Sequence, residues 1–262
     1  MKQKKAYRVG VDIGGTFTDL IVVDQETGAF AMGKVLTTSD DPSRAVETAL
    51  VDTLRQAGIA FNEVFVRFDS FDASSEFKRA LGPVSPTGKV PVLVDGDLIV
   101  WDTLAIAEYV AETWADKQLW PAAPQTRARA RSVCAEMHSG FTALRSHCPM
   151  NIEADLAHAG ALIWRDQPGV RADVQRLVQM WSALLQEHGG PMLFGEFSIA
   201  DAYFAPVCMR LHSYALPLPA HIAAYVQRVR ELPGVKAWID EALAEQDFLD
   251  FEEPYRLQPT QG

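Results

Sequence analysis

The sequence predicts an α/β domain followed by an all-helical domain, and three observations predict it. Short runs rich in Val, Thr and Ile alternate with helical patterns from residue 7 to about residue 115. Beyond Pro121 the strand signals nearly vanish and helical patterns follow one another to the end. Between the two regions stands Trp120-Pro121-Ala122-Ala123-Pro124, a proline-rich linker.

In chain order, Arg8–Asp12, Phe17–Val23 and Ala31–Thr37 read as strands, with turn residues from Asp24 to Gly28 between the last two. A helix follows with both ends marked: Asp41 caps it, Pro42 sits in its first turn and Gly58 lies just past its end. Val46, Ala49, Leu50, Thr53, Leu54 and Ala57 recur on one face of it at helical spacing. Glu63–Phe68 reads as a strand, Ser74–Leu81 as a short helix, and Gly82–Lys89 as a loop carrying two prolines and two glycines. Val90–Val94 and Asp97–Trp101 are strands joined by Asp95-Gly96, a hairpin signal, and Thr103–Ala115 is a helix. The second domain is expected to hold helices at Thr126–Cys148, Ile152–Arg165, Arg171–His188, Ser198–Ser213, His221–Leu232 and Val235–Glu245.

Bulk properties exclude several function classes. Apolar residues make up 48% of the 262 and charged residues 22%, an ordinary globular composition. A formal charge of −10 argues against a sequence-independent nucleic-acid binder, which needs basic surface to neutralise phosphates. It also leaves no polybasic patch for anionic lipid. The basic start MKQKK leads into no signal-peptide core, and no apolar run approaches the roughly 20 residues of a membrane span. Cys134, Cys148 and Cys208 are odd in number and lack CxxC spacing, which fits reduced thiols. A soluble, cytoplasmic protein with no nucleic-acid or membrane partner is expected.

The chemistry concentrates at Asp102-Thr103, a carboxylate and a hydroxyl opening a helix. Free N–H groups and the Thr103 hydroxyl can hold a carboxylate, and Asp102 an ammonium, so the pair suits a zwitterion; it also suits a plain helix cap. Ser198 and Asp201 read as a structural capping box. His138 reads as a packed or cleft-lining residue, and Met137, Phe141 and Trp181 as core.

These residues stand in an ordered set of phrases: Ser85-Pro86-Thr87-Gly88-Lys89-Val90-Pro91-Val92-Leu93, then Asp102-Thr103-Leu104-Ala105-Ile106, then Phe197-Ser198-Ile199-Ala200-Asp201. Together with Glu136-Met137-His138-Ser139-Gly140-Phe141 and the element order from Lys34 onward, they resemble the glutathione transferase family over about residues 54–258. The resemblance implies a thioredoxin-like domain with a helical domain behind it, glutathione as co-substrate, no metal, a small hydrophobic electrophile as second substrate, and a homodimer. It implies glutathione-binding roles for Lys89, Val90, Asp102 and Thr103, with Pro91 as a cis-proline that turns the Val90 backbone toward the tripeptide. The second substrate is expected between the domains, near Met137–Phe141.

The N-terminus departs from that pattern. Asp12-Ile13-Gly14-Gly15-Thr16-Phe17-Thr18-Asp19 and the residues around it, about 7–58, resemble the N-terminus of the hydantoinase A/oxoprolinase family. There the motif looks like a phosphate-binding hairpin, with Asp12 serving metal-linked water and Gly14, Gly15 and Thr16 approaching phosphate. Such a site needs a second phosphate loop and an adenosine-binding segment, and neither is found in this sequence. The organisation expected is an extra β-hairpin at 1–30, a thioredoxin-like domain at 31–118 and a helical domain at 125–250. Ser39 then falls where the transferase family places its thiolate-activating hydroxyl, with Thr38 and Ser43 as alternates. A glutathione transferase is the first functional reading. A non-catalytic glutathione-fold binding or interaction module is the second, and a remnant of an ATP-dependent hydantoinase/oxoprolinase the third.

Overall fold

The computed structural model describes residues 53–59, 72, 74–87, 91–245 and 255, together with the backbone of strands at 7–11, 19–24, 30–34 and 62–63. Three strands open the chain: β1 (Tyr7–Val11), β2 (Asp19–Asp24) and β3 (Phe30–Lys34). β2 pairs antiparallel with both β1, from Tyr7↔Asp24 to Val11↔Leu20, and β3, from Asp19↔Lys34 to Val23↔Phe30. The short β4 (Asn62–Glu63) joins them, parallel to β3 through Ala31↔Asn62. A helical segment at 53–56 lies between β3 and β4 in the chain, the order of a β-α-β crossover. Of the expected strand Glu63–Phe68, residues 64–68 lie outside the described residues.

The hairpin is shifted from its expected turn by one residue. β5 (Val92–Asp95) and β6 (Leu98–Trp101) pair antiparallel with Asp95 opposite Leu98, so the two-residue loop is Gly96-Asp97. Gly96 takes a φ of 59° and Asp97 does not turn positive, the sign pattern of a type II′ turn, which demands glycine first. Val92, Leu93 and Val94 are all buried, with β1 and β2 beside them. Helix α1 (Glu76–Leu81) is capped by the Ser75 hydroxyl and buries Phe77 and Leu81. Helix α2 (Thr103–Thr113) follows β6 directly and turns Ile106, Ala107 and Val110 into the core.

After the linker come α3 (Pro124–Ser139), α4 (Thr142–His147), α5 (Ala157–Asp166), α6 (Pro168–His188), α7 (Ile199–Ser213), α8 (Ala220–Glu231) and α9 (Pro233–Glu245). The single helix expected over Thr126–Cys148 is two helices. Gly140 is extended and Phe141 takes a left-handed φ of 56°, so the axis breaks there. Arg145 Nη1 donates to the carbonyls of His138 and Gly140, and the Asp173 carboxylate accepts from Leu144 N at 2.8 Å. These bonds satisfy the His138 and Gly140 carbonyls and the Leu144 N–H, groups that the break leaves without helical partners. The expected helix at 152–165 starts only at Ala157. Residues 148–156 instead form a loop pinned to the end of α7, with the Ser213 hydroxyl donating to Asn151 O and Leu156 N to Ser213 O.

Helix α7 is the axle of the helical domain, buried along nearly its whole length. Trp181 of α6 meets Phe204 of α7 and Tyr225 of α8 edge-on at 5.2 and 5.0 Å, packing that adds to area burial. Among the described residues no helix is long and apolar enough to cross a membrane.

Candidate functional site

The antiparallel register of β5 and β6 brings Pro91 and Asp102 to the same end of the hairpin, one residue beyond the Val92–Trp101 pair. Asp102 is the N-cap of α2 with a φ of 72° and a ψ of 130°, a positive-φ conformation outside the left-handed helical region that aspartate readily adopts. Its Oδ1 accepts from Leu104 N at 3.0 Å and from Ala105 N at 3.4 Å. Two of the N–H groups expected to face a ligand carboxylate are therefore occupied by the cap itself, while Oδ2 is left over. Thr103 is fully buried and its hydroxyl has no hydrogen-bond partner among the described residues. An orphaned buried hydroxyl costs about 1–3 kcal/mol.

Tight fastenings hold this helix in place. The Tyr109 hydroxyl donates to the Asp95 carboxylate on β5, and burial followed by that carboxylate pushes the phenol pKa up. Glu108 accepts from Nε, at 2.7 Å, and Nη2 of one edge of the Arg131 guanidinium from α3. That hydrogen bonding raises the guanidinium pKa further. Helix α3 also brings His138 to the site, its Nε2 3.9 Å from Asp102 Oδ2. His138 Nδ1 is buried and has no partner among the described residues.

Of the residues expected at the site, the structure gathers Pro91, Asp102 and Thr103. Lys89, Val90, Ser39, Thr38 and Ser43 lie outside the described residues, and with Val90 so does the Val90–Pro91 peptide bond. The sequence reads His138 as packed or cleft-lining; its approach to Asp102 depends on how α3 crosses the start of α2, which no local pattern carries. Met137 and Phe141 are core, as read. Two cavities of about 530 and 510 Å³ surround Trp120 at the linker, lined by residues such as Lys117, Phe194 and Phe197 for one and Glu112 and Arg127 for the other. Neither is lined by the Met137–Phe141 stretch expected to border a second substrate.

The chain's own thiols are poor nucleophiles. Cys134, Cys148 and Cys208 are all free and buried. Burial pushes Cys148 up to about 12 and the other two well above their usual range, and a thiol reacts as its thiolate. Among the described residues no group of three or more His, Cys, Asp and Glu side chains could hold a metal ion. Asp201 is consumed by structure: it accepts from Ser198 N, the Ser198 hydroxyl, Leu193 N and the Tyr225 hydroxyl, completing the capping box of α7.

Residues 41–112 match the glutathione S-transferase N-terminal domain, and residues 151–241 match the glutathione S-transferase C-terminal domain. Over these residues the chain belongs to the glutathione S-transferase family. Glutathione S-transferase F14 of Arabidopsis thaliana is 28% identical over 225 residues, 80% of this chain and 84% of that protein. A probable maleylacetoacetate isomerase of Caenorhabditis elegans is 28% identical over 184 residues, 69% of this chain and 83% of that one. The fold matches a solved glutathione transferase homolog from Burkholderia, determined with bound glutathione, at a TM-score of 0.56 and 21% identity, over 91% of this chain and 100% of that one. The glutathione S-transferase fold therefore stands: a thioredoxin-like domain followed by a helical domain. Residues 8–67 separately match the hydantoinase/oxoprolinase N-terminal region. That match overlaps the start of the transferase N-terminal match.

Proposed function

We propose that the protein is a glutathione transferase that conjugates the glutathione thiolate to a small apolar electrophile. The observation that carries this reading is the start of α2, where Asp102 caps the helix through one carboxylate oxygen and the next residue, Thr103, has a buried hydroxyl without a hydrogen-bond partner among the described residues, in a family-matched domain. The γ-glutamyl end of glutathione offers an ammonium for the first and a carboxylate for the second, on one carbon. The α2 dipole favours the carboxylate at that end. Lys89 and Val90 would hold the rest of the tripeptide, with a cis Pro91 presenting the Val90 backbone. Ser39, or in its place Thr38 or Ser43, would donate to the sulfur and favour the thiolate. The sulfur–carbon bond then forms as the leaving group departs with its electron pair. The chain would work as a cytoplasmic homodimer, as the family resemblance implies.

Incubation of the full chain with glutathione and a set of small electrophiles, read by mass spectrometry, tests this. S-conjugates that fall strongly with Ser39→Ala support the reading, and Ser39→Ala with unchanged turnover removes Ser39 from the mechanism.

A second reading, a glutathione-fold binding module without turnover, is favoured by one observation. The hydantoinase/oxoprolinase match covers the residues where the family's activating hydroxyl belongs. Glutathione binding by a folded chain that forms no conjugate with any electrophile selects it.

A further inference from the structure

Asp102 spends one carboxylate oxygen on capping α2, and the other faces His138 Nε2 at 3.9 Å. That distance is too long for a direct hydrogen bond. It suits one N–H donor group lying between the two and reaching each over about 2.9 Å. Both side chains keep access for such a group, with 50% of Asp102 and 32% of His138 exposed. The ring meets a ligand through Nε2 alone, because Nδ1 is buried.

We propose that His138 is a positioning residue that, together with Asp102, fixes the ammonium group of the ligand across the boundary between the two domains. This rests on the glutathione reading above. The other charged groups around His138 are committed elsewhere. Glu136 is held by Nε and Nη2 of Arg176, Asp173 caps α4, Glu108 is held by Arg131, and Arg145 Nη1 is bound to the His138 and Gly140 carbonyls. An ammonium donates to the carboxylate and to the imidazole nitrogen together, so the gap selects for a ligand that carries one. With Nε2 as the acceptor nitrogen, a carboxylate alone at the helix start gains no hydrogen bond from His138. The residue thereby links the helical domain to recognition of the γ-glutamyl end, while the remainder of the tripeptide is read by the α/β domain.

The test is a calorimetric titration of the full chain with two ligands, glutathione and the same tripeptide with hydrogen in place of its α-ammonium. His138→Ala is expected to weaken glutathione about tenfold, the size of one charge-assisted hydrogen bond, and to leave the des-amino ligand unchanged. His138→Phe keeps the ring packing without the nitrogens and is expected to give the same pattern should the alanine variant fail to fold. His138→Gln, which retains an acceptor, should recover most of the affinity. Equal weakening of both ligands, or no weakening of either, overturns the role of His138 and leaves the glutathione reading standing. Absence of binding by the folded wild type overturns the glutathione reading itself.

Discussion

Gly160 shows how much a single hydrogen can matter here. A β-carbon at that position would fall 1.8 Å from the carbonyl oxygen of Tyr214, which is backbone and cannot swing aside. Gly160→Ala should force α5 away from the end of α7 and lower stability by about 3 kcal/mol, the upper range for overpacking. Urea unfolding that shows less than about 0.5 kcal/mol of loss would contradict the closeness of that approach. Asp102 is a residue whose double duty was half legible. An acidic residue before a hydroxyl at a helix start announces both a cap and a polar site, and the cap is observed. Burial of Thr103 and the approach of His138 were not legible, because both follow from side chains far away in the chain.

Among the elements, α7 depends on its capping box. Burial, opposed by four donors, lifts the Asp201 carboxyl to about 6 from an ordinary 3.8. Between those values the folded chain holds a proton that the unfolded chain has released. The contribution of this group to stability is thus fully present below about 3.8 and is lost as pH rises through about 6. Asp201→Asn replaces one of the cap's two acceptor oxygens by a donor and should cost about 1–2 kcal/mol at neutral pH. Its melting curves should diverge further from the wild type as pH falls from about 7.5 to about 5.5. A gap that stays constant or narrows would contradict a protonating Asp201. The α3–α4 break teaches a different lesson. Val133, Met137, Phe141 and Leu144 are all buried and spaced as one helical face, so periodicity runs unbroken through a chain that bends. Gly140 marks the place, where a β-carbon would fall 2.6 Å from the Glu136 carbonyl oxygen, and the Arg145 and Asp173 hydrogen bonds hold the break there. Element types from the linker onward were legible from prolines, glycines and apolar spacing; breaks and starts set by distant partners were not.

At the scale of the whole molecule, two arginine ion pairs among the described residues join the N-terminal region to the helical domain. One is Glu108–Arg131 between α2 and α3; the other is the Arg55 guanidinium on Glu241 of α9, at 2.9 and 2.8 Å. The first fastens α2 to α3, which is what a site shared between domains requires, and the second ties the 53–56 segment to α9. The two-domain order was legible because strand and helix periodicities differ, and the change at Pro121 is abrupt. The family matches meet in the chain where two different N-termini overlap, at residues 41–67. The central claim is that the α2 site binds glutathione in this setting. Calorimetric titration of glutathione into the wild type and into Thr103→Ala tests it most directly. The account predicts binding to the wild type, weakened about tenfold in the variant as a hydrogen bond to a charged group is lost. No heat from a folded wild type, or equal affinity in the two proteins, would contradict it.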